Sequence, residues 1–258
     1  VDADHGRAPD GDGRRTAAPT APSAPDSRRN LLLAGLPDAE LQRLLPELEL
    51  VDLALHDQVL TRDEPIKDLH FPLDCVLSLM ASAGGGDQVE VATIGYEGMS
   101  GLPVFLGVAT GPNDAFCQVP GRALRLSAAG LRRFLASDGA LHQSLHRYTQ
   151  ATMVLLAQNV ACNRAHRTEE RCARWLLQTR DRVGADQFPL TQEFLAQMLG
   201  VRRGTVSLTA SVLQAAGTIR YTRGVITVLD ADALHRAACA CYDIVQEQFQ
   251  RLTRAPAT

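Results

Sequence analysis

Residues 190–207 read LTQEFLAQMLGVRRGTVS. Thr191 is placed to cap a helix whose Phe194, Leu195 and Met198 share one face, and Leu199-Gly200 closes it. A second helix is expected from about 202 to 216, because Val206, Ala210 and Leu213 recur at steps of four and three. At about 100° per residue, Arg203, Gly204, Ser207, Leu208 and Ser211 then fall in one outward arc. Two short helices joined by a glycine-containing turn, the second exposing a basic N-terminus, are a helix-turn-helix.

That arrangement gives the adjacent arginines a task. A recognition helix enters the major groove N-terminus first, where Arg203 can make a bidentate contact to guanine. Arg202, at the rim, is expected to meet phosphate with the help of free backbone N–H groups. The following GTIRYTRGVITV (217–228) reads as a β-hairpin with Arg223-Gly224 at its tip, a wing whose arginine reaches the DNA backbone. Thr191, Gln192 and Thr205 complete the expected DNA-facing set. A helical hairpin with a merely solvated charged face is the plainer reading. The helix–turn–helix–wing order argues against it.

Upstream, DGALHQSLHRYTQATMVLLAQNVACNRAH (138–166) runs without proline. Leu141, Leu145, Tyr148, Thr152, Leu155, Asn159 and Cys162 follow alternating steps of four and three, the pattern of a two-helix coiled-coil seam. This predicts a symmetric dimer, with packing of the helix on its own domain as the alternative. His142 and His146 have a metal-compatible spacing but no third ligand, and read as exposed helix residues. HRTEER (166–171) restarts a helix, with Thr168 expected as its N-cap.

Before the long helix, residues 51–126 break into short apolar runs separated by Asp, Pro or Gly clusters, which implies an antiparallel barrel or sandwich. GGGDQ (84–88) reads as a hairpin connection, and SAAGLRRFLAS (127–137) as a helix. A helix opening at Pro37-Asp38, with Leu41, Leu44, Leu45 and Leu48 at helical spacing, precedes the strands. Residues 1–29 are rich in Pro, Gly and Ala with little to bury, and are expected to be a disordered tail.

Charge follows the same division. The net −3 of the 258 residues conceals an acidic first half and a basic second half, as in a nucleic-acid-binding module beside a domain with another job. No run is long and apolar enough to span a bilayer and no secretory signal is evident, so a soluble cytoplasmic protein is expected. The six cysteines lack CxxC pairs and read as buried hydrophobes. Cys239 and Cys241 form a lone CxC that would need further ligands to hold a metal, so no metal or cofactor is expected.

With these elements placed, the chain resembles the Crp/Fnr family of bacterial transcription regulators over residues 30–230. LTQEFLAQMLGVRRGTVS, AAGTIRYTRGVITV and the junction-like ACNRAHRTEERCARWLL (161–177) carry the resemblance. It implies an α+β fold with a cyclic-nucleotide-binding-like antiparallel β-roll sensor over 30–137 and a dimerisation helix over 138–166. A winged helix-turn-helix domain with a C-terminal helix follows over 167–258. The partners implied are a second copy of the chain, a palindromic operator in double-stranded DNA and, for an activator, RNA polymerase.

Departures from the family pattern are informative. Of the Arg, Glu and Arg of the best-known recognition helix, which fall on Arg203, Gly204 and Leu208, only the first is kept. In the sensor, Gly101-Leu102 replaces the Gly-Glu that holds a ribose hydroxyl, and Asn113-Asp114-Ala115 stands where an arginine neutralises the cyclic phosphate. Leu156 and Ala157 occupy the positions of the base-contacting hydroxyls. The expected effector is therefore not cyclic AMP. The iron–sulfur cysteine cluster of some members is absent, and His56 and His70 are the available candidates for a haem ligand. The rival reading is a small-molecule-binding or cupin-like enzymatic barrel with the helical module serving assembly. No nucleophile–base pair or phosphate loop favours it, so the chain is read as a non-enzyme.

Overall fold

The computed structural model describes residues 21–84, 87–136 and 138–253. The first twenty residues of the expected tail lie outside them. Residues 23–29 correct the tail's boundary: Ser23 caps helix α1 (Ala24–Ser27), and the Arg28 guanidinium donates to the carbonyls of Ala34 and Leu36. Helices α2 (Leu31–Ala34) and α3 (Asp38–Leu44) follow. Leu41 and Leu44 are buried as their spacing requires, but Leu48 opens strand β1 instead of continuing the helix, because Pro46 intervenes.

Among the described residues, seven strands form the roll: β1 (Leu48–Leu53), β2 (Gln58–Leu60), β3 (Asp68–Pro72), β4 (Val76–Gly84), β5 (Asp87–Ile94), β6 (Asp114–Val119) and β7 (Gly121–Ser127). They pair antiparallel in two sheets, ordered β1-β7-β3 and β2-β6-β4-β5. A short helix, α4 (Leu102–Phe105), fills the connection from β5 to β6. Gly101 enters it at φ 75°, and a Cβ there would meet the Leu69 side chain at 2.9 Å, so any other residue would be both strained and crowded. Helix α5 (Ala128–Phe134), capped by Ser127, leads to the long α6 (Ala140–Ala165).

Helix α6 corrects the expected dimer seam. Leu141, Leu145, Tyr148, Leu155 and Cys162 are buried within the chain, the first four in the sensor's own core. Asn159 donates to the Val91 carbonyl at 2.8 Å and accepts from Arg174 at 2.8 Å, and Thr152 lines an internal cavity. The seam therefore packs on its own domain, which was the alternative. The large apolar side chains left exposed on α6 are Met153 and Val160, at 61% and 73%. They belong to a second stripe, Gln150, Met153, Ala157 and Val160, with the same steps of three and four.

Helix α7 (Thr168–Val183) is capped one residue earlier than expected. Arg167 is the N-cap, and its N–H donates to Glu170, three residues on. Beyond α7 lie β8 (Gln187–Pro189), α8 (Gln192–Leu199), α9 (Arg203–Ala215), β9 (Ile219–Thr222), β10 (Val225–Val228), α10 (Ala231–Ala237) and α11 (Cys241–Gln250). The small sheet has the order β8-β10-β9. Phe188, Leu195, Met198, Val206, Leu213 and Ile226 join Trp175 and Leu176 of α7 in one buried cluster. Helix α11 reaches beyond that module. Its Val245 and Phe249, with Leu252 just beyond, enter the core of the roll beside Tyr148, while its Tyr242 and Gln246 donate to Asp181 of α7, so the last helix bridges the roll and the C-terminal module.

Candidate nucleic-acid interface

Helix α8 starts as the sequence suggests, with Thr191 Oγ1 accepting from Phe194 N–H at 3.1 Å. It ends at Gly200, whose φ of 63° turns the chain for α9. Val206, Thr209, Ala210 and Leu213 anchor α9 in the core. Arg202, Arg203, Gly204, Thr205, Leu208 and Ser211 are exposed on the opposite side, and Leu208 is 65% exposed. Thr191 is exposed as well. Ser207 is half-buried because its hydroxyl donates to Gln192 Oε1 at 2.8 Å, which fixes α9 against the start of α8. Gln192 and Ser207 are thus partly engaged with each other, and the other expected base-facing positions are open.

Among the described residues no side chain caps the N-terminus of α9, which leaves its first N–H groups without a side-chain acceptor beside Arg202 and Arg203. A Cβ built on Gly204 meets nothing within 4 Å, so no neighbour in the chain demands glycine there. The wing is also as expected. Arg223 and Gly224 form the β9–β10 turn at φ 50° and 77°, the left-handed pair of a type I′ hairpin, with Arg223 exposed. Tyr221 holds the wing to the module, its hydroxyl donating to the Leu190 carbonyl at 3.0 Å.

The module docks on the sensor through α7 and α8. Trp175 Nε1 and Ser78 Oγ both donate to Glu90, at 2.8 and 2.5 Å. Arg182 and Glu97 form a buried ion pair at 2.7 Å. The rings of Phe116, Phe194 and His56 stack at tilted and edge-on angles across the same boundary. His56 is therefore a boundary contact. His70 is buried with Nδ1 3.5 Å from Ser100 Oγ, and burial, then Arg125, lower its pKa to about 4. His142 is half-buried and His146 exposed, both edge-on to Phe105.

The sensor holds a cavity of about 180 Å³ between α4, β5, α6 and α11. Gly101, Leu102, Asn113 and Leu156 line it as expected, together with Leu60, Met99, Tyr148, Leu155 and Phe249. Asp114 and Ala157 do not. The Asp114 carboxylate turns to the roll's edge, accepting from Arg62 N–H at 3.0 Å and Gln88 Nε2 at 2.8 Å. Ala157 faces outward on α6. None of the lining residues carries a charge, and Asn113 and Tyr148 already donate to the carbonyls of Met80 and Met99.

The cysteines divide. Cys75, Cys117 and Cys172 are buried with thiols pushed up by burial, as inert core residues are. Cys239 and Cys241 instead meet Cys162 and His166, so the lone CxC does have neighbours of metal-binding type. Sequence spacing gives no sign of this, since Cys162 and Cys239 are 77 residues apart.

Residues 170–237 match the model of the Crp-like helix-turn-helix domain. The chain carries the Crp/Fnr fold. It is similar to the structure of FixK2 from Bradyrhizobium japonicum, with TM-score 0.64 and 16% identity over 75% of this chain and 98% of that one. The c-di-GMP-responsive global regulator CLP from Xanthomonas campestris gives TM-score 0.59 and 13% identity over 74% and 99%. A CRP-family transcriptional regulator from Thermus thermophilus gives 0.58 and 17% over 72% and 95%. No curated protein matches the sequence. Among the described residues, no helix of this Crp/Fnr-fold chain is long and apolar enough to cross a membrane.

Proposed function

We propose that the protein is a Crp/Fnr-type transcription regulator that binds duplex DNA as a homodimer and responds to an uncharged, largely apolar effector. One observation carries the DNA-binding reading: α9 and its N-cap leave Arg202, Arg203, Thr205, Leu208 and Ser211 exposed, with wing residue Arg223 also exposed. Arg203 reads a base edge; Arg202 and Arg223 hold phosphates. The second copy docks along Gln150, Met153, Ala157 and Val160, the α6 stripe that the chain leaves uncovered. A two-fold axis along α6 places two recognition helices on a palindrome.

Strand β5 couples the cavity to the DNA-binding module. Ala92, Thr93 and Ile94 line the cavity, and Glu90 of the same strand binds Trp175 of α7. A ligand that shifts β5 therefore shifts the surface on which the module rests. Fluorescence anisotropy of the full chain against randomised and then selected duplexes tests the reading. Nanomolar, salt-dependent binding to one selected palindrome is expected, against weak binding to random DNA. Equal affinity for every sequence would remove the sequence-specific role.

A further inference from the structure

Four side chains from three places in the fold converge where α6 ends. Cys162 lies in the last turn of α6, and His166, its C-cap, marks the bend into α7. Cys239 lies between α10 and α11, and Cys241 is the first residue of α11. Their ligand atoms all lie within 4.8 Å of one another. Cys162 Sγ is 3.5 Å from Cys239 Sγ, and Cys241 Sγ is 3.4 Å from His166 Nδ1. All three cysteines are free and buried, and His166 is half-buried.

We propose that Cys162, His166, Cys239 and Cys241 bind a single zinc-type divalent cation in a closed Cys3His site.

Three arguments converge. The first is size. Zinc–sulfur bonds of about 2.3 Å and zinc–nitrogen bonds of about 2.0 Å, at tetrahedral angles, separate the donor atoms by roughly 3.5–3.8 Å. The two separations above are already near that figure, so closing the site asks little of the backbone. An iron–sulfur cluster spreads its cysteines over several irons, and this set is too compact for one. The second is ligand chemistry. Three soft thiolates and an imidazole in tetrahedral array suit zinc and leave no position open for substrate. The third is charge. Three thiolates outweigh a divalent ion by one negative charge, and the Arg174 guanidinium, which donates to Asn159 one turn before Cys162 on α6, is placed to offset it. Gln158 Nε2 donates to Cys241 Sγ at 3.0 Å, orienting one ligand from outside the set.

The place of the site gives it a consequence. The ion ties the end of α6, the bend into α7 and the start of α11 together. Because α11 is packed into the sensor core, the site fastens the bend between the sensor's long helix and the DNA-binding module. Metal loading therefore sets the stiffness of that bend.

Cobalt is the probe. The full chain, purified with reductant and stripped with chelator, is titrated with Co²⁺ and then with Zn²⁺. One equivalent of Co²⁺ should give intense visible d–d bands of tetrahedral type with thiolate charge transfer in the near ultraviolet, and Zn²⁺ should erase both. Elemental analysis of the untreated protein should find about one zinc per chain. Cys239→Ser, Cys241→Ser and His166→Ala should each weaken cobalt binding at least tenfold, while Cys75→Ser and Cys172→Ser keep it. Should a buried substitution unfold the chain, the native-protein titration still decides the matter. Absence of cobalt bands in the reduced chain overturns the proposal. So does a Cys162–Cys239 disulfide in protein free of metal, or iron recovered with acid-labile sulfide.

Discussion

Trp175 Nε1 donates to Glu90 Oε1 at 2.8 Å, joining the first helix of the DNA-binding module to a strand of the sensor. Burial raises the Glu90 carboxyl to about 7, against the downward pull of hydrogen bonds from Ser78 and Trp175 and of Arg182 and Arg174. A raised acid binds its proton more tightly in the folded chain than in the unfolded one. The stability it contributes is full below the ordinary glutamate pKa, falls as pH rises, and is lost by about pH 7. Glu90→Gln removes the ionisation and keeps an acceptor for the indole. The variant should melt roughly 5 °C above the native chain at about pH 8, with the gap closing towards about pH 5. Scanning fluorimetry across that range checks it; a variant less stable at every pH would show that the carboxylate is needed charged.

Two stripes on one helix explain why heptad spacing alone does not identify a face for a partner chain. Leu141, Leu145, Tyr148 and Leu155 follow heptad spacing, and so do Gln150, Met153, Ala157 and Val160 on the other side. Periodicity assigns residues to a face but cannot say whether its neighbour is the same chain or another. The more apolar stripe went to the sensor core because burying it stabilises the fold more. Met153→Glu and Val160→Glu should each yield monomers with the melting temperature little changed, since exposed positions cost about 0.5 kcal/mol or less. Leu145→Glu, by contrast, puts a charge in the core and should cost more than about 4 kcal/mol. Analytical ultracentrifugation separates the cases. A Met153→Glu dimer as tight as the native one places the two-fold axis elsewhere.

The helix-turn-helix is legible in the sequence because its signals are local: a cap at Thr191, a left-handed Gly200, a short period-3.6 core and the Arg223-Gly224 turn. The strands of the roll are legible for the same reason, each bounded by its own breakers. What cannot be read depends on contacts distant in sequence. Asp114 turns to Gln88 and Arg62, α11 returns to the sensor, and Cys239 and Cys241 find Cys162 and His166. In each case the local pattern fits more than one partner, and packing of the whole chain chooses.

Arg203 and Arg223 should fail differently. Arg203→Ala should cost about 1–3 kcal/mol of DNA binding and relax preference at one operator position per half-site. Arg223→Ala should weaken all sequences alike and reduce the salt slope by about 1. Anisotropy titrations at several salt concentrations, on operator and single-base variants, distinguish them. Identical effects of the two changes on every duplex would refute the assignment of base and phosphate roles.

Gly204 has no neighbour within 4 Å that excludes a side chain, yet glycine inside a helix is costly. Gly204→Ala should stabilise the chain by about 0.5–1 kcal/mol in urea unfolding. If DNA approaches the helix backbone there, the same change should lower operator affinity. Gain of stability without loss of affinity would mean that the groove does not close on this position.

Cyclic AMP should neither bind well nor be needed for DNA binding. The cavity of the roll is lined by Leu102, Leu155, Leu156, Phe249 and other uncharged groups. A cyclic phosphate brings a full negative charge, and moving it into such a site without a cation is costly. The ribose finds Leu102 where an acceptor would be required, and Asn113 is already committed to the Met80 carbonyl. Each missing charge-assisted hydrogen bond is worth roughly 1.5–3 kcal/mol, so two of them remove about two to four decades of affinity. Leu102→Glu with Asn113→Arg should not restore binding either, because the apolar walls that remain still fail to solvate the nucleotide. Calorimetry should show no micromolar binding of cyclic AMP to the native chain, and its addition should leave operator affinity unchanged. Tight binding with a matching rise in operator affinity would mean that the cavity reshapes around the nucleotide, and the apolar-effector reading would fall.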